Sequence, residues 1–286
     1  MEVVHWGPRT MSSGPPSGLS GVHGTAFSAA ALRAWHTLTA EEPKIFRDEL
    51  ALALTGMGEA EVVALGERVS AASASTCVLR SRFTEDHLAA ARERLSQYVV
   101  LGAGLDSFAL RMGDALGGLT VYEVDDPPFQ EWKSQRIREL GLQPPAQLRF
   151  IPCDFEDTSI PDALAAAGFG AEEPCFISWL GVTQYLTREA VTETLRWAGE
   201  RPAGSELVLT YLEANAQAAE LKTNMARTGI ALLSAFTTSE MTAMVEEAGF
   251  SRIEQLSPEE ADARYFQNRT DGLRAPAIQR LLSATV

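Results

Sequence analysis

Residues 97–126 read QYVVLGAGLDSFALRMGDALGGLTVYEVDD, and three kinds of residue in that run can do chemistry. Gly102 and Gly104, with Ala103 between them, follow an apolar run over 98–101. Glycine has no Cβ, so the backbone there can turn sharply and a ligand can approach it closely. The acids Glu123, Asp125 and Asp126 end a second apolar run over 119–124, about 20 residues after the turn, where a carboxylate accepts from ribose hydroxyls. Asp106 lies inside the glycine loop. A bare glycine-x-glycine also occurs as a plain structural turn. It is the acid-tipped second strand that points to a nucleoside ligand, with one of these acids as the expected ribose partner.

The loop also discriminates between nucleotides. A dinucleotide site uses a third glycine so that the helix can approach the strand beneath a pyrophosphate. Here that position is Ser107, and Asp106 beside it would repel a pyrophosphate. An acid suits a ligand that carries an amine and no phosphate, such as S-adenosylmethionine. A nicotinamide-dependent oxidoreductase and a non-catalytic nucleoside-binding protein are the competing readings, and no Tyr-x-x-x-Lys pair supports the first.

Further candidates lie outside this run. Asp154, directly after an apolar run over 148–152, reaches the edge where ligands bind in parallel sheets. It can accept from an adenine amino group, with Phe155 against the ring; capping of the next helix is the alternative. In Arg80-Ser81-Arg82-Phe83 an arginine can grip a carboxylate bidentately, or be a solvated charge near a helix end. Arg33 can bind an acidic substrate or form a salt bridge within its helical region. His23, His36, His87, Tyr185 and Tyr211 are each more simply structural than catalytic.

These residues need a scaffold. The 286-residue chain is 45% hydrophobic and 22% charged, enough for one sizeable core. A net charge of -14 repels phosphate backbones and makes nucleic acid an unexpected partner. The absence of a long apolar run or a basic-apolar leader predicts no membrane partner and a cytoplasmic location. Three spaced cysteines predict neither a disulfide framework nor a metal site. Residues 1–20, rich in Gly, Pro and Ser, are expected to be loose. Helices are expected at 23–38, 44–54, 60–77 and 84–94, forming a cap over 21–95. Residues 96–286 then alternate strands and helices, with strands at 148–152, 175–180, 206–212, 250–256 and 263–267 and a terminal helix at 274–282. That alternation predicts an α/β fold with a doubly wound, mostly parallel sheet.

Taken together, these motifs resemble the leucine carboxyl methyltransferase family. The matching pieces are Gly24-Thr25-Ala26 with Arg33-Ala34, Arg80-Ser81-Arg82-Phe83, VVLGAGLDSFALR over 99–111, and Val121 to Asp125. They continue with Asp154 to Asp157, Tyr185-Leu186 and Arg269 to Arg274. The resemblance implies a class I, Rossmann-like methyltransferase fold: seven strands, the last antiparallel, under an N-terminal helical cap. It implies S-adenosyl-L-methionine as cofactor and a small molecule, such as a secondary metabolite, as substrate of an O-methyl transfer to a carboxylate or hydroxyl. By resemblance Arg82 holds the methionine carboxylate. Gly102, Ala103 and Gly104 form the turn beneath it, Asp125 holds the ribose, and Asp154 and Phe155 contact adenine. One position departs from the family pattern: Leu180 stands where a glutamate often follows the fourth strand, which removes a partner for the methionine amine.

Overall fold

The computed structural model describes residues 21–69, 71–154 and 159–286. The expected loose segment 1–20, and Phe155 with its neighbours up to residue 158, lie outside the described residues. Seven strands form one sheet in the order β3-β2-β1-β4-β5-β7-β6. They are β1 (Gln97–Leu101), β2 (Thr120–Asp125), β3 (Leu148–Pro152), β4 (Cys175–Trp179), β5 (Glu206–Leu212), β6 (Arg252–Leu256) and β7 (Gln279–Thr285). β1 to β5 pair in parallel, and β7 runs antiparallel between β5 and β6. The doubly wound, mostly parallel sheet is therefore present.

The central strands β1, β4 and β5 are mostly apolar and are buried along their whole length, because both faces are covered. Side chains alternate between faces. Tyr98, Val100, Val121, Phe176, Val208 and Leu281 join one buried cluster. Val99, Leu101, Val124, Ile177, Trp179 and Leu209 join the other. The first cluster packs under α1 (Val22–Thr39), α4 (Ala71–Ala91) and α5 (Phe108–Met112). The second packs under α7 (Ile160–Ala166), α8 (Arg188–Gly199) and α10 (Thr238–Glu247). The remaining helices are α2 (Ala51–Thr55), α3 (Glu59–Arg68), α6 (Pro127–Glu139), α9 (Ala216–Arg227) and the short α11 (Pro258–Ala261). Among the described residues no single helix is long and apolar enough to cross a membrane.

Three expectations change. The helix expected at 44–54 shrinks to α2, because the preceding chain is held by side chains instead of a helical ladder. His36 Nε2 accepts from the Ile45 amide at 3.1 Å, and Asp48 Oδ1 accepts from the Ala51 amide at 3.0 Å. The helices expected at 60–77 and 84–94 break elsewhere: α4 runs continuously from Ala71 to Ala91, so the arginine pair sits mid-helix. The C-terminal expectations are reversed. Residues 262–266 form a single π-helical turn, not a strand, and β7 starts at Gln279, inside the span expected as a terminal helix, and runs on to Thr285. Sheet pairing on both sides of 279–285 overrides the helix preference of its Leu and Ala.

The helices before β1 are tied to the glycine loop by buried charges. Arg33 donates to Asp48 Oδ2 at 2.8 Å and to the Leu105 carbonyl at 2.6 Å. Arg111 donates to Ser107 Oγ at 2.9 Å and pairs with Glu85 on α4. Burial alone would raise the Asp48 carboxyl, but Arg33 and Arg111 more than offset it and hold it below its ordinary value. Arg33 thus forms a salt bridge between α1 and the loop before α2.

Candidate active site

A cavity of about 720 Å³ opens at the carboxyl edge of β1, β2, β4 and β5, under α1 and α4. This is where a parallel sheet with a crossover on either side leaves a crevice. Its floor on the β1 side is the turn Gly102-Ala103-Gly104. The Gly102 and Ala103 amides donate to the Val124 carbonyl at 2.9 and 3.1 Å, so the turn is anchored on β2. Gly102 has φ 66° and Gly104 φ 49°, in the region that favours glycine. A Cβ on Gly102 would collide with Val182, and one on Gly104 would lie 3.0 Å from Ala26 Cβ on α1.

Asp125, at the tip of β2, lines the cavity and is half-buried. Its carboxylate accepts from the Gly104 amide, and from the Asp126 amide at 2.7 Å. Burial pushes its pKa up, and these two amides pull against that. A carboxylate has about four acceptor positions, so two remain for ligand hydroxyls. Its neighbour Asp126 meets His23 Nε2 at 3.2 Å across the cavity mouth. Asp106 also lines the cavity. One of its oxygens accepts from the Phe108 amide at 2.8 Å, starting α5.

Glu123 is not at the edge. It is fully buried and paired with Lys133 of α6, and burial pushes its carboxyl up to about 7 against the pull of Lys133. Asp154 follows β3 at the carboxyl edge, half-buried, and is not among the residues lining the cavity; Phe155 lies outside the described residues.

The two arginines of α4 part company. Arg82 points away from the cavity, 45% exposed, and pairs with Asp86 at 2.8 Å. Arg80, two residues earlier and about 200° around the helix, lines the cavity half-buried. Its guanidinium fills the space over Gly181, where any Cβ would collide with it. Among the described residues Arg80 makes no hydrogen bond or ion pair. A half-buried arginine without a protein partner is free to pair with an anionic group of a ligand.

Beyond Gly181 the wall changes character. Leu180, Val182, Leu186, Leu212, Leu232 and Ile278 line it, with Met225 and Leu221 from α9. The helix α9 was missed in the sequence. Its signal was present: Asn215 caps it, accepting from the Ala218 amide at 2.9 Å, and Gln217, Leu221 and Met225 recur at helical spacing. Tyr185 lines this wall, whereas Tyr211 is buried and bonds to Gln255 at 3.0 Å. His36 and His87 serve structure: His87 meets Glu206 at 2.9 Å at the amino end of β5.

Similarity to known proteins agrees with this architecture. The chain is 35% identical over 188 residues to the Bacillus subtilis (strain 168) protein named "Putative S-adenosyl-L-methionine-dependent methyltransferase YktD", covering 63% of this chain and 62% of that one. It is 39% identical over 126 residues to a protein of the same description from Mycolicibacterium paratuberculosis (strain ATCC BAA-968 / K-10), covering 44% and 41%. It thus spans less than two thirds of the length of either relative. A solved structure from Thermobifida fusca YX superposes with a TM-score of 0.61 at 17% identity, covering 95% of this chain and 98% of that one. One of a DUF574 family protein from Streptomyces avermitilis MA-4680 gives 0.56 at 14%, covering 90% and 96%. These two share the fold. The leucine carboxyl methyltransferase model matches residues 26–199, most of the chain, and the protein belongs to that family.

Proposed function

We propose that the chain is an S-adenosyl-L-methionine-dependent O-methyltransferase for a carboxylate or hydroxyl of a small molecule, with the helices of 21–95 as its cap. The observation that carries this is the charge layout around the glycine turn. Arg80 offers an unpaired cation on one side, and Asp106 and Asp125 offer carboxylates on the other. An amino acid end and a ribose need that set; a pyrophosphate would meet two acids. The relatives' names agree with this reading.

In this reading Arg80, not Arg82, takes the methionine carboxylate, and Asp106 takes the amine in place of the acid lost at Leu180. Gly102, Ala103 and Gly104 form the bed of that end. Asp125 holds the ribose hydroxyls, and Asp154 with Phe155 remains the proposed adenine contact. The sulfonium supplies the methyl group and leaves as a neutral thioether. The chain aligns donor and acceptor at attack distance and excludes water. Among the described residues no histidine or carboxylate lines the wall beyond Gly181. A carboxylate acceptor is already ionised near neutral pH and gives up no proton. A hydroxyl acceptor passes its proton to solvent base, which favours acidic hydroxyls such as phenols.

The test is transfer of a labelled methyl group from S-adenosylmethionine to panels of apolar carboxylic acids and phenols. Labelled ester or ether supports the proposal. Cofactor binding without any transfer would favour a non-catalytic binding protein, and label found on nitrogen or sulfur acceptors alone would refute O-methylation.

A further inference from the structure

Charge is distributed unevenly along the cavity. Its acids are Asp106, Asp125 and Asp126, all at or just beyond the carboxyl ends of β1 and β2. Its basic residues are His23 and Arg33 on α1 and Arg80 on α4. His23 meets Asp126 at 3.2 Å and Arg33 meets Asp48 at 2.8 Å, so both already have protein partners. The other half is built from the loop after β4, the end of β5, α9 and the chain leading into β7. Among the described residues that line this half, none is an aspartate, glutamate, lysine, arginine or histidine. Leu212, Leu221, Met225, Leu232 and Ile278 supply much of its surface, with the exposed Gln217 of α9 beside them.

This asymmetry decides which acceptor can enter. With the donor bound as proposed, Arg80 is occupied by the methionine carboxylate. An ionised acid carried into the apolar half then gives up its water with no side-chain cation to meet it, which is strongly unfavourable. The sulfonium faces the reacting oxygen, but it has no N–H to donate to the second oxygen of a carboxylate. The net charge of -14 repels an anion further. A neutral apolar compound loses little on the same transfer and gains from burial against the leucines.

We infer that the acceptor is a neutral, apolar phenol, and that ionised carboxylic acids are excluded. This rests on the methyl-transfer reading for the identity of the cavity. Phenols are selected among hydroxyl compounds because no histidine or carboxylate lines this half among the described residues, so the hydroxyl must be acidic enough to pass its proton to solvent base. In the transfer the phenol oxygen bonds to the methyl carbon, and the carbon–sulfur bond breaks with its electron pair returning to sulfur. The products are a neutral aryl methyl ether, S-adenosylhomocysteine and a proton.

The test compares 4-butylphenol with 4-butylbenzoic acid, which share ring and tail. Binding is followed by ligand-observed NMR with S-adenosylhomocysteine present, after S-adenosylhomocysteine binding has itself been measured. At pH 7.5 the phenol is neutral and the acid ionised, and the phenol should bind at least about tenfold more tightly. Lowering the pH to 6.5 raises the neutral fraction of the acid about tenfold, so its apparent affinity should climb while that of the phenol stays constant. Gln217→Arg and Leu221→Arg each place a cation on the cavity face of α9, and should strengthen acid binding and narrow the preference. An acid that binds as tightly as the phenol at pH 7.5, an acid affinity that ignores pH, a preference untouched by both substitutions, or no binding of either compound would each overturn the inference. Missing S-adenosylhomocysteine binding would instead sink the methyl-donor reading.

Discussion

At the scale of single residues the account turns on Arg80 and Asp125. Removing Arg80, a cavity-lining cation with no partner among the described residues, should leave a bound carboxylate unpaired. Arg80→Met should weaken S-adenosylhomocysteine binding by about 1.5–3 kcal/mol, the usual range for a charged hydrogen bond. Arg82→Met removes an exposed pair with Asp86, worth about 0–1 kcal/mol to the fold, and a 3.4 Å hydrogen bond to the Ile45 carbonyl, and should leave that affinity within a factor of about two. Calorimetric titration of both variants decides which arginine is at the site. Asp125→Ala should cost about 1–3 kcal/mol of the same affinity; an unchanged value would show that the ribose lies elsewhere. The sequence showed both arginines and not which one matters. Side-chain direction on a helix depends on phase, and α4 is so rich in Ala, Ser and Thr that its apolar positions mark no clear phase.

At the scale of elements, two buried devices hold the site's neighbours in place. His36 on α1 accepts the Ile45 amide and is fully buried. Burial above all, with Arg269 nearby, lowers its pKa from 6.5 to about 4. The folded state therefore binds this proton less readily than the unfolded chain. The contribution is fully present above pH 6.5 and is lost as pH falls toward 4, for a total on the order of 3 kcal/mol. Urea unfolding at stepped pH should show this loss in the wild type and a flatter profile over the same window in His36→Asn. The second device is the Glu123–Lys133 pair between β2 and α6. Lys133→Met should destabilise by about 3–5 kcal/mol, because it leaves a buried carboxyl unpaired. The double variant Glu123→Leu with Lys133→Met should recover most of that. Equal losses in the single and double variants would show that the pair does not act as a unit.

The elements differed in how plainly they could be read. β1, β4 and β5 announced themselves, since strands buried along their whole length read as mostly apolar runs. β7 was hidden because its residues 279–285 mix Leu and Ala with polar positions. Its strand state depends on β5 and β6, which lie far away in sequence. The chain before α2 looked helical, but Asp48, His36 and Arg269 hold it from the side; Arg269 Nη1 donates to the Pro43 carbonyl at 2.9 Å.

At the scale of the whole molecule, one sheet carries two chemically different halves of a single cavity along its carboxyl edge. The half over β1 and β2 is charged and built on backbone amides, and its residues sit in a short, recognisable run of sequence. The half over β4, β5 and β7 is apolar and is assembled from α4, α9, the loop after β4 and the start of β7. The glycine turn and its acids were legible for this reason, while the apolar wall became visible only when distant segments were brought together. The network joining Arg33, Asp48, Arg111 and Glu85 fixes α1 and α4 to the glycine loop, so the cap and the turn should move together when a ligand enters. The most direct measurement is calorimetric titration of the protein with S-adenosylhomocysteine and, separately, with NAD. Saturable one-to-one binding of S-adenosylhomocysteine with no heat from NAD is the predicted result; saturable binding of NAD with none of S-adenosylhomocysteine would contradict the assignment of the cavity.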